Sequence, residues 1–165
     1  VYLGGGLTSI GCASGCATSP AVTRNRLAAV DAATGAATAW DPNVSGNTMT
    51  YTLAVSGNTV YAGGTFAVVN QVSRNRLAAF GSNGRLTDWN PDAEGTVSAL
   101  AVSSGTVYAG GQFTTVCTSA ASTCWNGSAV QTRNRVAAFG GDGSLKPWDP
   151  NASGTVSALD RKSVV

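Results

Sequence analysis

The sequence contains no histidine in 165 residues. Histidine is the usual general base near neutral pH and a frequent metal ligand, so its absence removes the commonest acid–base and zinc chemistry. Close carboxylate pairs of the kind that hydrolyse glycosides do not recur either. Asp92 and Glu94 are neighbours, but their position in a loop indicates a solvated turn. We therefore predict that the chain is not an enzyme and carries neither a catalytic site nor a metal site.

Charged residues and long apolar runs are also scarce. Only 11% of the residues are charged, with 10 basic and 8 acidic side chains, whereas 43% are hydrophobic. This composition is too apolar for a disordered chain, and no segment approaches the roughly 20 apolar residues of a membrane helix. Because there is no basic patch and no acidic run, we expect neither a nucleic-acid partner nor membrane insertion.

Glycine, by contrast, occurs 21 times and marks an internal repeat. The segment "VYLGG" at Val1 returns as "VYAGG" at Val60 and Val107, at spacings of 59 and 47 residues. Segments of the form "RNRLAAF" and "WDPN" follow in the same order in each copy. Matching copies in a constant order indicate a repeat architecture.

Each repeat predicts four short antiparallel strands. Strand A is "TVSALAV", strand B is "TVYAGGQF", strand C is "RNRVAAF", and strand D is the short run that ends at a tryptophan. Tight "SSG" and "SGN" turns separate strands A and B, and four such strands in about 45 to 60 residues form one blade of a β-propeller. We therefore predict an all-β fold, a β-propeller fragment of about three four-stranded antiparallel blades. A twisted superhelix of sheets is the competing architecture.

The repeat boundaries divide the chain into blades. Propellers usually need about four to eight blades to close, so the parent protein is expected to extend at both ends. The last six residues, "DRKSVV", break the pattern, resemble one reading frame of a sequencing-library adapter, and are interpreted as a non-native tail. The predicted units within 1–159 are a partial blade at 1–46, blades at 47–94 and 95–153, and the first strand of another blade at 154–159, with the tail at 160–165.

The arginines recur in every blade. A propeller normally carries a single site, so residues present in all blades are expected to serve the packing of the blade itself. On a strand the two arginines of each "RNR" segment would share one face and bond carbonyls or Asx side chains of adjoining turns. A ring of arginines that captures anions is the alternative. The arginines concerned are Arg24, Arg26, Arg74, Arg76, Arg133 and Arg135.

The tryptophans that end the repeats follow the same logic. Trp40, Trp89 and Trp148 are predicted to occupy equivalent buried positions between sheets, where large rings stabilise through buried area. A platform for stacking sugars is the alternative use of such rings.

An Asx-Pro-Asx turn follows each of these tryptophans. Its side chains are expected to bond the backbone, and its proline to stop the strand. Three of its carboxylates, Asp41, Asp92 and Asp149, could instead bind calcium, although clusters of several ligands on one loop are missing from the sequence.

All four cysteines lie in two insertions between strands B and C that do not recur. The pairs Cys12–Cys16 and Cys117–Cys124 are predicted to form local disulfides, which indicates an extracellular protein. A zinc site and free thiols are the alternatives for these cysteines.

The same insertions supply the candidate binding face. In antiparallel blades the B–C loops and the D–A loops emerge on one face, here called the loop face, and insertions in repeat proteins often mark the binding face. Trp125 is the one aromatic residue that the blade pattern does not demand, and Asn126 follows it. These two residues are the candidate contacts, with local packing of Trp125 on its own loop as the alternative.

Taken together, "VYAGGxF", "RNRLAAF", "GxLxxWNP" and "GTVxALAVSG" resemble the delta-sixty-repeat β-propellers of large secreted bacterial proteins. Strands B to D are also similar to the quinoprotein-like propeller repeat, whose tryptophan-docking motif has an Ala, a Gly and a Trp at the end of each blade. The Gly-to-Trp gap of five residues is one longer here, and the acidic residue of that motif is present only as Asp31. The corresponding triplets are Ala29, Gly35 and Trp40, then Ala79, Gly84 and Trp89, then Ala138, Gly143 and Trp148.

This resemblance implies the blade and its tryptophan packing. It implies no quinone or other cofactor, because no residue here matches a cofactor site. We expect a non-enzymatic extracellular or cell-surface scaffold whose loop face binds a protein or a glycan. The alternative is a part of a quinoprotein-like or sugar-active propeller enzyme whose active site lies outside this chain.

Overall fold

A computed structural model describes residues 1–11, 21–118 and 129–160. Over these residues the chain is all-β and contains no helix. Its strands form several small antiparallel sheets, and the sheets do not close into a ring.

Two three-stranded sheets form the body of the molecule. They are built from the segments rich in valine, alanine and threonine that were predicted as strands A, B and C, because β-branched side chains suit a pleated surface. The first sheet has the order β5 (Thr50–Ser56), β6 (Thr59–Gly64), β9 (Leu77–Gly81), and the second has the order β10 (Val97–Ser103), β11 (Thr106–Gly111), β14 (Val136–Gly140).

The predicted tight turns between strands A and B are present. Ser56 pairs with Thr59 across a two-residue turn, and Ser103 pairs with Thr106 in the same way. Ser104 and Gly105 both have positive φ, 47° and 74°, as a type I′ hairpin turn requires.

The first repeat has only part of this sheet. Strand β1 (Tyr2–Gly4) pairs with β4 (Leu27–Ala29), as β6 pairs with β9 and β11 with β14. The other edge of β1 has no hydrogen-bonded strand among the described residues.

The connection between strands B and C is a small hairpin in every repeat. In the second repeat Asn70 and Gln71, with φ of 46° and 66°, form the turn of the shortest hairpin. The hairpins pair β2 (Ser9–Ile10) with β3 (Val22–Thr23), β7 (Val68–Val69) with β8 (Val72–Ser73), and β12 (Thr115–Cys117) with β13 (Val130–Thr132).

Strand D is reduced to a single bridge in each repeat, so the two large sheets have three strands and not the four that were predicted. Phe80 bridges to Leu86, and Phe139 bridges to Leu145. In the second repeat the Thr87 hydroxyl then donates to the Ala79 carbonyl at 3.0 Å and accepts the Trp89 N–H at 3.3 Å. These side-chain bonds fix the chain just before the buried indole of Trp89.

The hydrophobic core lies between successive sheets. One cluster joins Leu27 and Trp40 of the first repeat to Phe66 and Phe80 of the second. A second cluster joins Leu77 and Trp89 of the second repeat to Phe113 and Phe139 of the third repeat. Each repeat therefore completes its core only against the next repeat.

Gly64 approaches the backbone of its neighbouring strand so closely that an added Cβ would overlap the Met49 carbonyl, whereas a Cβ at the equivalent Gly5 meets nothing within 4 Å. We expect Gly64→Ala to lower the free energy of unfolding by about 1–3 kcal/mol. Gly5→Ala should change it by about 0.5 kcal/mol or less. Urea unfolding of dilute protein measures both, and equal losses would contradict the close approach.

Candidate binding face

The Arg-Asn-Arg segments lie in turns that precede strand C, so the prediction that their side chains alternate along a strand is wrong. The second arginine of each segment has a left-handed backbone, with φ of 64°, 64° and 67° at Arg26, Arg76 and Arg135. This conformation is unusual for a residue other than glycine. Backbone bonds hold it in place, since the N–H of Arg76 donates to Phe66 at 2.8 Å and its carbonyl accepts the N–H of Gly64 at 3.0 Å.

The first arginine of each segment bonds main-chain carbonyls. Arg74 donates to the carbonyls of Ser73 at 2.8 Å and Thr87 at 2.9 Å, and it is 7% exposed. Burial lowers the pKa of its guanidinium, and the nearby Asp92 and Asp88 oppose that effect. Arg24 and Arg133 make the corresponding pairs of bonds. These bonds tie strand C to the segment that leads into the tryptophan, as the packing interpretation requires.

The carboxylate beside this arginine occupies different positions in different repeats. Asp41 lies 3.6 Å from Arg24, and Asp149 lies 3.6 Å from Arg133. In the second repeat the corresponding residue is the buried Asn90, so no carboxylate is available there.

The second repeat carries its carboxylate two residues later. Asp92 has a φ of 41° and is only 2% exposed. It accepts the backbone N–H of Asn75 at 2.9 Å and the side-chain amide of Asn75 at 3.2 Å. The prediction of a solvated turn at this position is therefore wrong for Asp92. In the described ranges, no three His, Cys, Asp or Glu side chains come together as a metal site would need.

The Asx-Pro turn of one repeat lies against the small hairpin of the next repeat. Val44 forms a β-bridge with Val69, and Ala93 forms one with Val116. The turns that follow the tryptophans and the hairpins between strands B and C therefore meet on the loop face. The described ends of the two insertions are the strands β2 and β3 and the strands β12 and β13, which therefore lie on this face.

Glu94 reinforces this contact and was not singled out as a contact residue from the sequence. Its carboxylate accepts the hydroxyls of Thr114 at 2.8 Å and Thr115 at 2.9 Å in the next repeat. These hydroxyls, helped by the charge of Arg76, hold the pKa of Glu94 below its usual value. Glu94 and the two threonines belong to successive repeats, so only the fold shows that they are paired.

The three tryptophans are not equivalent, which corrects the sequence prediction. Trp40 and Trp89 are 5% and 4% exposed, and their indole N–H groups donate to Gly81 at 3.0 Å and Gly140 at 2.9 Å in the following repeat. Trp148 keeps the edge-on contact with the tyrosine of its own repeat, at 5.1 Å from Tyr108, but it is 43% exposed. Trp40 and Trp89 also meet a phenylalanine of the following repeat, Phe80 and Phe139, and among the described residues Trp148 has no such contact.

The predicted contacts of the insertions lie mostly outside the described residues. Cys117 is fully buried at the end of β12. The other predicted residues, Cys12, Cys16, Cys124, Trp125 and Asn126, lie outside the described ranges. The two disulfides and the role of Trp125 and Asn126 therefore stay predictions.

Comparison with known proteins found no family model, no curated protein and no solved structure that matches this chain. Within the described part of the chain, no helix is long and apolar enough to cross a membrane.

The hydrogen bonds from the Thr114 and Thr115 hydroxyls to the Glu94 carboxylate, here called the Glu94 clamp, should make a pH-dependent contribution to the free energy of unfolding. Because the folded-state pKa is depressed, the contribution is fully present above the unfolded pKa and is lost as the pH falls through the folded pKa. We expect Glu94→Gln to lower the free energy of unfolding by about 0.5 kcal/mol near neutral pH, a value discounted for exposure. Urea titrations of both proteins from about pH 7 to about pH 2.5 should show this difference vanishing in acid. A difference independent of pH would contradict the clamp.

Trp89 and Trp148 should make different contributions to the free energy of unfolding. Trp89→Phe removes a buried N–H bond and ring area, so we expect a loss of about 1–3 kcal/mol in the free energy of unfolding. Trp148→Phe, the matched control at the equivalent position, should cost about 0.5 kcal/mol or less in dilute protein. Equal losses would mean that the next repeat does not hold Trp89.

Proposed function

We propose that this chain is part of an extracellular or cell-surface β-propeller of the delta-sixty-repeat type, a non-enzymatic scaffold whose loop face binds a protein or a glycan. The propeller is supported by the way each repeat packs on the next through the same tryptophan contact. The extracellular location rests on the two predicted disulfides.

One observation carries the binding role. Polar groups that the structure describes on the loop face are used internally: Arg74 bonds two carbonyls, Asp92 holds Asn75, and Glu94 holds two threonines. What distinguishes the repeats on this face is the length of their hairpins, since β7–β8 is closed by two residues while the other two hairpins carry insertions. Variable loops on a rigid scaffold are where recognition residues concentrate.

Trp125 and Asn126 are the residues that we assign to the contact. An aromatic ring in a loop supplies a large contact area for a protein surface or a sugar ring, and an adjacent amide supplies hydrogen bonds.

The test uses the short hairpin β7–β8 as a template for shortening the other two hairpins. We expect the full chain to bind members of a glycan array or a panel of surface proteins, and a variant with residues 12–20 and 119–128 each replaced by the Asn-Gln turn of β7–β8 to lose that binding. Trp125→Ala should weaken it by about tenfold or more.

Asn58→Ala is the control, because Asn58 is exposed in the turn between β5 and β6, at the end of the sheet opposite to the hairpins of the loop face. It should bind as the unmodified chain does. Undiminished binding by the variant with replaced loops would contradict the proposal, provided that its urea unfolding is unchanged.

A further inference from the structure

A small pocket lies between the second and third repeats, at the end of the sheets away from the loop face. Thr59 at the start of β6 marks that end, because the hairpin β7–β8 follows the other end of the strand. The pocket has a volume of about 230 Å³, and it is walled by Tyr61 and Trp89, whose rings meet edge-on at 5.0 Å. Asp88 and Asp142, the latter from the turn after β14, add two carboxylates.

The carboxylate of Asp88 is not required by the repeat. The boundary between the first and second repeats has the same aromatic pair, since Tyr2 and Trp40 meet edge-on at 4.9 Å. Ala39 takes the position of Asp88 there. Asp88 itself forms no hydrogen bond and no ion pair within the described part of the chain. Because an alanine meets the needs of the fold at this position, packing does not explain the acid.

The charge of Asp142 is not required either. One oxygen of Asp142 accepts the Ser144 N–H at 3.0 Å and the Ser144 hydroxyl at 2.7 Å. The equivalent Asn83 accepts the N–H of Arg85 at 3.0 Å with a neutral amide, so the turn needs an oxygen and no charge. The bond from the Ser144 hydroxyl, followed by that from the N–H, holds the pKa of Asp142 below its usual value. Its carboxylate is therefore ionised at neutral pH.

The phenol of Tyr61 is a further unbonded polar group of the pocket. The side chain is only 7% exposed, and its hydroxyl has no hydrogen-bond partner among the described residues and is not fully enclosed. Burial raises the pKa of Tyr61, so the phenol stays neutral. Two donors beside it are already used, since the Trp89 indole donates to Gly140 and the Thr87 hydroxyl donates to Ala79. The groups left unbonded therefore accept more hydrogen bonds than they donate.

Two cations of the protein act on these carboxylates without pairing with them. Asp88 raises the pKa of Arg74, but the guanidinium is bonded to the carbonyls of Ser73 and Thr87. Lys146 makes the smallest contribution to the lowered pKa of Asp142. Neither cation forms an ion pair with a carboxylate of the pocket within the described ranges. The negative charge of the pocket is therefore left for a ligand.

We propose that this pocket, here called the acidic pocket, binds a primary alkylammonium group. The three N–H donors of such a group suit the carboxylates of Asp88 and Asp142 and the phenol oxygen of Tyr61. The aromatic rings attract a cation placed over their faces and pack against its alkyl chain. Calcium would need about six to eight oxygen ligands, and no three His, Cys, Asp or Glu side chains come together in the part of the chain that the structure describes.

The ammonium group has two possible sources, a free amine and a lysine side chain of a partner protein. Both offer the same charged head on an apolar stem. Because the acidic pocket lies away from the loop face, this inference does not rest on the proposed function, and loss of binding at the loop face leaves it unaffected.

Titration of the full chain with n-butylammonium chloride, followed by the N–H chemical shifts of the protein, tests the proposal. We expect the resonances of the Trp89 indole and the Gly141 amide to move with a roughly millimolar Kd. Butan-1-ol, which has no charge, and butyrate, which has the opposite charge, should not move them. No response to n-butylammonium up to about 100 mM would overturn the proposal.

A lysine derivative blocked at both ends, N-acetyl-lysine N-methylamide, distinguishes the two sources. Tighter binding of this compound than of n-butylammonium would support the pocket and indicate a lysine of a partner protein. Equal or weaker binding would support the pocket and indicate a free amine. Shifts at the same resonances with calcium or a methyl glycoside, but not with either amine, would overturn the proposal.

The first repeat boundary supplies the variants. Asp88→Ala and Asp142→Asn copy the residues found there, so they should keep the far-UV spectrum and the urea unfolding while each weakens ammonium binding by about tenfold. Tyr61→Phe keeps the ring and should weaken binding by about threefold. Asp41→Asn, which removes an exposed carboxylate on the loop face, is the control and should bind as the unmodified chain does. Undiminished binding by the double variant Asp88→Ala, Asp142→Asn would overturn the proposal.

Discussion

Trp40 and Trp89 each pack against residues of two successive repeats. The ring of Trp40 meets Tyr2 of its own repeat at 4.9 Å and Phe80 of the next repeat at 5.9 Å, both edge-on, while its N–H is bonded to the next sheet. Trp89 repeats the arrangement with Tyr61 and Phe139. Because the indole needs both partners to be buried and hydrogen-bonded, the hydrophobic core forms between repeats, and each sheet depends on its neighbour.

The close approach of the strands follows from the same contact. Sheets that share a tryptophan lie near enough for Val97 to fill the space over Gly63, and a Cβ at that glycine would collide with the valine. The paired glycines at the end of strand B therefore serve two neighbours. Gly63 accommodates the next repeat, and Gly64 accommodates the first strand of its own sheet.

The polar side of the repeat is organised around one buried arginine. Arg74 and its equivalents satisfy carbonyls that a full fourth strand would otherwise have bonded, and a carboxylate remains close by whether it sits before or after the proline. Partnered in this way, the charges that recur on the loop face are committed to the scaffold. The proposed recognition role therefore falls on the insertions, where the repeats differ from one another.

The sequence alone determined the repeat, the all-β class, the hairpin turns between strands A and B, and the strands themselves, because these follow from local preferences that reappear in every copy. It did not predict the left-handed backbone of Arg76, since that conformation is imposed by bonds to Phe66 and Gly64, which are distant in sequence. It also missed the reduction of strand D to one bridge, which occurs in all three repeats, including the third, where Lys146 stands in place of Thr87. Above all, "WDPN" occurs around both Trp40 and Trp148, yet one ring is buried and the other is 43% exposed. Burial is a property of what packs against a side chain, and only the tertiary structure shows that Phe80 and the Gly81 carbonyl of the second repeat are what cover Trp40.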